Sequence, residues 1–250
     1  MHSLTKTKIL LIVEGEFGEK NFYNRLEELT FGEKTAFEFF LYKTNIYQLY
    51  SELNKLEFDA DIIDVLKTSP RHNDNEKDIL NNKFAYKYLV FDLDFQDTRY
   101  DCKYNILHKM IEYFSDETDN GKLYVNYPML ESYRDMKYIG DEEYYQRSIS
   151  ITETKRYKSI VDQRGNTLDI NRYTWNNYLE ILKMNIKKAN YITIKKLIKG
   201  TYKNYQDNLT QEKICIKQEM MIKKNGLINV LNCGIFFLLD YFGENLFNKT

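Results

Sequence analysis

KILLIVEG, Lys8 to Gly15, is an apolar run closed by a glutamate and a glycine. A short continuous apolar run that stops at a turn residue is the pattern of a strand covered on both faces, as in a parallel sheet. The next stretch, EKNFYNRLEEL from Glu19, spaces Phe22, Leu26 and Leu29 by four and three, which is one face of a helix. Strand, turn and helix therefore open the chain. The same order recurs at YLVFDLDFQD, Tyr88 to Asp97, where an apolar run ends in acids and Ile106, Leu107, Met110, Ile111 and Phe114 follow at helical spacing.

Between these two units, FEFFLY (Phe37 to Tyr42) reads as a strand, and Asn45 caps a helix bearing Ile46, Leu49, Tyr50, Leu53 and Leu56. Ile62 to Leu66 fits either more helix or a short strand. Ser69 to Lys83, with a proline and many Asn, Asp and Lys, reads as an exposed connection. KLYV (Lys122 to Val125) gives a fourth strand, and Pro128 suits the first turn of a helix after it. Residues 1–140 are thus expected to form an α/β domain, a mainly parallel sheet flanked by helices.

Past Asp141 the strand signal fades. Helices are expected over Ile181–Ile198, Tyr205–Lys224 and Leu227–Phe242, the last apolar nearly all round and so buried, making 141–250 a mostly helical extension. Net charge over the whole chain is −1, but it is unevenly spread. Residues 1–150 hold 19 Lys and Arg against 28 Asp and Glu, whereas 151–225 hold 16 against 7. Basic residues interleaved with Tyr157, Tyr173, Trp175, Tyr178, Tyr191, Tyr202 and Tyr205 suit phosphate contact and base stacking, with Lys195 and Lys196 among the candidates. The plainer explanation is equally open: with 22 Tyr in the chain such interleaving arises by composition, and lysine pairs ordinarily face solvent.

Composition excludes several classes. A chain that is 43% hydrophobic and 15% aromatic is not disordered, and 10 Gly with 2 Pro is neither collagen-like nor linker. Cys102, Cys215 and Cys233 are odd in number and lack CxxC spacing, so neither a disulfide framework nor a zinc knuckle is indicated. No apolar stretch approaches the ~18 residues of a membrane span, and the opening run is too short for a secretion signal. A cytoplasmic protein without membrane contact is the expectation. His2, His72 and His108 lack metal-ligand spacing and are given no role.

In parallel sheets ligands gather where strands end and loops open. Glu14 follows the first strand, Asp92 and Asp94 close the third two residues apart, and Asp97 lies slightly beyond. Four carboxylates drawn together repel one another unless a cation compensates, and all-oxygen ligation selects Mg²⁺ or Mn²⁺. The plainer alternative makes each acid a helix cap or a solvated loop residue, Asp97 capping the next helix for instance.

LLIVEGEFGEKNFYNRL (Leu10–Leu26) and LVFDLDFQD (Leu89–Asp97) resemble the two signature segments of a Toprim domain. With NYPMLESY (Asn126–Tyr133) the resemblance narrows to small Toprim proteins of the RloB-like, abortive-infection and overcoming-lysogenization-defect nuclease groups, over roughly residues 8–138. It implies a Mg²⁺-dependent centre cleaving phosphodiester bonds in RNA, tRNA included, or in DNA. Glu14 would then be a metal ligand and general acid/base, and Asp92 and Asp94 metal ligands, joined by Asp97 and by Glu131 from the next segment. The family's second acid falls four residues after the first; here that position is Gly18 and the nearest acid is Glu19. Lys20 and Arg134 are candidates for the scissile phosphate, although a solvated helix face is the favoured explanation for both. The resemblance also implies a role in antiphage defence beside an ATPase partner, with a homo-oligomer left open. Two alternatives stand. One is a catalytically silent Toprim sensor. The other is a haloacid-dehalogenase-like phosphatase, whose first motif YLVFDLDFQDT also resembles.

Overall fold

A computed structural model describes residues 7–15, 18–30, 35–97 and 103–248. The opening strand β1 (Thr7–Val13) is followed by α1 (Gly18–Thr30), β2 (Thr35–Leu41), α2 (Ile46–Lys55) and α3 (Ile62–Thr68). A short α4 (Asp74–Lys77), then β3 (Tyr86–Asp92), α5 (Lys103–Tyr113), β4 (Ser115–Asp116) and β5 (Gly121–Asn126) complete a five-stranded sheet in the order β2-β1-β3-β5-β4. β1 pairs in parallel with both β2 and β3. The fold is therefore α/β with a mainly parallel sheet flanked by helices. Ile9 to Val13 are all fully buried, which is why that run carries no polar residue.

The described residues of 1–91 and 105–123 form one compact unit, and those of 92–104 and 124–248 another. The division expected at residue 140 falls inside the second. In the first unit, Phe22 and Leu26 of α1 are buried as their spacing requires, and Asn45 accepts the Gln48 amide at 3.1 Å as the cap of α2. Ile62 to Leu66 proves helical. The stretch expected to be an exposed connection is instead tied down. Asn73 and Glu76 form a reciprocal capping box for α4, and a 3₁₀ turn follows at Asp78–Asn81. Leu80 and His72 are buried, the latter with Nε2 donating to the Leu41 carbonyl at 2.7 Å. Pro70, Asn73, Asp74, Asn75, Asp78, Asn81 and Lys83 are exposed as expected, but the segment is held by caps and short helices rather than running as an irregular loop, which composition alone cannot distinguish.

In the second unit the residues after β5 do not start a helix at Pro128. Tyr127–Pro128 is a cis bond, Tyr127 bridges Leu231, and the next turn is a 3₁₀ helix over Leu130–Arg134. A small sheet pairs β6 (Ser148–Ser150) with β7 (Leu227–Asn229), antiparallel. Around it stand α6 (Tyr157–Arg164), α7 (Trp175–Ile194), α8 (Tyr202–Asn208), α9 (Gln211–Asn225) and α10 (Phe237–Phe242). The helix expected over Tyr205–Lys224 is thus two, because Leu209 is extended and the Thr210 hydroxyl caps α9 on the Lys213 amide. The final apolar segment is buried as expected, but it begins as a strand, not a helix. Among the described residues no helix is long and apolar enough to cross a membrane.

Cys215 and Cys233 are buried free thiols; Cys102 lies outside the described residues. Burial pushes the Cys215 thiol up to about 12 and raises the Cys233 thiol and the Tyr144 and Tyr157 hydroxyls well above their ordinary values. The folded chain then holds these protons longer than the unfolded one. Their contribution is complete below about pH 9 and is lost above about pH 9 for the cysteines and above about pH 10 for the tyrosines, at roughly 1.4 kcal/mol per pH unit per group. Lys188, whose ammonium burial pushes down, acts in the opposite sense up to its ordinary value, but it is one group against four. Urea unfolding at pH 8, 10 and 11 is expected to show a steep fall in stability. A flat profile would contradict the burial of these side chains.

Candidate functional site

β1 and β3 run side by side in parallel with Val13 level with Val90. Each ends in acids: Glu14 directly follows β1, and Asp92 is the last residue of β3. Around Glu14 the backbone is fixed. Lys43 donates its amide to the Glu14 carbonyl at 3.1 Å, just as Tyr42 does to Val13 at 2.8 Å, so the strand pairing continues past the strand end. Glu19, in the first turn of α1, turns back and accepts the Gly15 amide on Oε1 at 3.1 Å while buried. A side chain at Gly15 would run into the Glu19 carboxylate and push its flexible end off the Gly15 amide. Glu19 therefore clamps the turn after β1.

Asp92 is half-buried, and its Oδ1 accepts from Asn126 Nδ2 at 3.2 Å. Asn126 is wholly buried, and its own Oδ1 accepts the Gly234 amide at 2.9 Å. The Asn126 carbonyl takes the Leu93 amide at 3.0 Å, and the Pro128 carbonyl takes it at 3.2 Å. The acidic string is thus pinned to the end of β5 by backbone and side chain together. Asp94 is left-handed, φ 40°, a conformation aspartate tolerates better than most residues, and its carbonyl accepts the Asp97 amide at 3.2 Å. Asp97 belongs to this turn. Residues 98–102, between it and the first described residue of α5, Lys103, lie outside the described residues.

The remaining candidates are dispersed. Glu131, on the 3₁₀ turn, pairs with Lys158 at 3.2 Å. Arg134 pairs with Asp162 at 2.5 Å; burial opposes its charge, but the Asp162 carboxylate together with Tyr133 and Glu131 raises its pKa. Lys20 is exposed on α1, and Lys195 and Lys196 are exposed beyond the end of α7. Among the described residues no three His, Cys, Asp or Glu side chains are gathered closely enough to hold a metal ion. Each acid of the strand ends has its own anchor: Glu19 on the amide of Gly15, the residue after Glu14, Asp92 on Asn126 at the end of β3, and Asp94 joined to Asp97 in the turn that follows. As donors they are all oxygens, with no thiolate or imidazole, a chemistry that fits a hard divalent cation.

Two features escaped sequence reading. Asn126 sits inside the quoted NYPMLESY segment, yet its role as the buried anchor of Asp92 is visible only once β5 lies beside β3. The other is a buried polar cluster in the second unit. Asp135 is fully buried and receives both Arg164 Nε at 2.8 Å and Nη2 at 2.7 Å, plus the Tyr157 hydroxyl at 2.9 Å. Lys188, also fully buried, donates to the carbonyls of Tyr144 and Arg147, each at 2.7 Å, with its Nζ 4.3 Å from the Tyr144 ring centre. Lys188 interrupts the largely apolar buried face of α7, which is the signal that could have found it, whereas Asp135 lies just past the 3₁₀ turn, where no periodicity marks it.

Comparison with protein-family models, curated proteins and solved structures finds no match to this chain.

Proposed function

We propose that this chain is a Toprim-like nuclease that cleaves phosphodiester bonds in RNA or DNA with the help of Mg²⁺ or Mn²⁺. The observation that supports the reading is the parallel pairing of β1 with β3, each strand ending in acids that match the family's signature segments. In this reading Glu14, Asp92 and Asp94 would hold the cation, which has to draw together side chains that are not gathered into a metal site among the described residues. Bound there, the cation would neutralise a nonbridging phosphate oxygen and the departing oxygen. Asn126 keeps the Asp92 carboxylate in one orientation through its amide. Glu14, on a backbone held by Lys43, takes the proton from the attacking water. Glu19 acts one step back by shaping the turn that presents Glu14. By the same resemblance the cleavage serves antiphage defence under the control of an ATPase partner.

The test compares wild type, Glu14→Gln and Asp92→Asn on labelled RNA and DNA in Mn²⁺, with a small aryl phosphate in parallel. Cleavage of nucleic acid that both substitutions abolish supports the nuclease. Aryl phosphate turnover that survives Glu14→Gln would replace it with the phosphatase, and no activity on either substrate would replace it with the silent sensor.

A further inference from the structure

The second unit carries a groove of about 580 Å³ between the end of α7 and the face of α9. Its apolar wall is made by Ile192, Met220 and Met221, and Met220 is 55% exposed. Lys195, Lys217, Lys223 and Lys224 line the same groove. Lys223 is paired with Glu219, but among the described residues Lys195, Lys217 and Lys224 have no ion-pair partner. That contrasts with Lys183 and Lys187 on the same α7, which pair with Glu180 and Glu142. Three uncompensated ammonium groups around one apolar surface repel each other, and an anion entering the groove relieves that repulsion.

The groove also adjoins aromatic surface. Lys195, left-handed at φ 58°, ends α7 where glycine or asparagine is usual, and its Nζ lies 5.3 Å from the Tyr191 ring centre. Tyr191 in turn meets Tyr145 edge-on at 5.4 Å. Cations that track phosphates beside flat or polarisable apolar surface are the elements of single-strand recognition. A duplex offers the phosphates but keeps its bases stacked away from the methionines. An acidic peptide offers the charge but has no use for the tyrosine faces.

We propose that this groove binds single-stranded nucleic acid, with Lys195, Lys217 and Lys224 on the phosphates and Met220 and Met221 against an unstacked base. The inference rests on the nuclease reading only for the fate of the bound strand; binding itself needs no metal. Lys195 was a candidate from sequence, whereas Lys196 does not line the groove.

Fluorescence anisotropy of a labelled oligouridylate, measured in EDTA over a range of salt, tests this on the full chain. Wild type should prefer the single strand to a duplex of equal length. A K195A/K217A/K224A variant should bind about tenfold or more weakly, and the slope of log K against log salt should fall by about 2. Met220→Glu, at an exposed position, should weaken binding with every lysine in place. Equal binding by the triple variant, a duplex bound as well as the single strand, or polyglutamate competing as well as the oligonucleotide would each overturn the proposal. Lys196→Ala, outside the groove, should bind as wild type does. If wild type binds the strand in EDTA but cleaves none of it when Mn²⁺ is added, the nuclease reading falls while the groove stands.

Discussion

Asp92→Asn is expected to slow cation-dependent cleavage by about a thousandfold while leaving the melting temperature nearly unchanged. The magnitude follows from what the carboxylate does in the proposed centre: a ligand charge on a divalent cation supplies several kcal/mol, and each 1.36 kcal/mol is a factor of ten. The specificity of the effect follows from Asn126. Its Nδ2 donates to Asp92 Oδ1 at 3.2 Å, and an asparagine at position 92 still offers a carbonyl oxygen to that donor. Shape and hydrogen bond survive, and only the charge is lost. Single-turnover cleavage at saturating Mn²⁺ reads the rate, and a thermal melt reads the fold. An unchanged rate would mean that Asp92 is only the structural end of β3. Asn126→Ala should behave differently, costing about ten- to a hundredfold in rate and also stability, because the Gly234 amide loses its buried acceptor.

Arg164→Ala is expected to destabilise the fold by about 3 kcal/mol, the lower end of the range for breaking a buried pair, since the arginine side chain itself is partly exposed. The cost lies on the other partner. Asp135 is completely buried, and without the guanidinium fork it keeps only the Tyr157 hydroxyl at 2.9 Å among its three bonds to side chains described above. A carboxylate left in that state must take up a proton or admit water, and either loses the packing between the 3₁₀ turn at Leu130–Arg134 and α6. Arg164→Lys should recover only part of the loss, because an ammonium cannot bridge both carboxylate oxygens. Urea denaturation measures both. A loss below about 1 kcal/mol for the alanine variant would show that Asp135 is hydrated in the folded chain.

The first half of the fold was legible because its signals are local. ILLIV (Ile9–Val13) and YLVF are apolar without interruption since both faces of the central strands are covered, and the Phe22/Leu26 spacing needs nothing beyond the helix itself. The second half was less legible because its elements are defined by distant partners. Leu227–Asn229 is a strand only because Ser148–Ser150 lies against it, and the same apolar residues fit a helix equally well. Ser69–Lys83 misled for the opposite reason. Asn73 and Glu76 look like loop residues, yet each satisfies the other's backbone, and this reciprocity is a matter of geometry rather than composition.

The candidate site divides in the same way. Glu14 and Asp92 were readable as acids closing apolar strands, and the pairing of those strands follows. Glu19 was readable as an acid near the expected position, but its carboxylate is turned to Gly15, which no spacing rule foretells. Arg134 and Glu131 were credible by sequence position and are instead engaged by Asp162 and Lys158. Asn126 went unnoticed because a neutral amide after a strand has no chemical signature until its carboxylate partner is beside it.

Calorimetric titration of Mn²⁺ into the metal-free chain, repeated for Glu14→Gln and Asp92→Asn, tests most directly whether the acids at the ends of β1 and β3 serve one cation. Saturable binding by wild type, weakened about tenfold or more by each substitution alone, is the expected result. Binding that Glu14→Gln leaves untouched, or no binding to the wild-type chain, would contradict it.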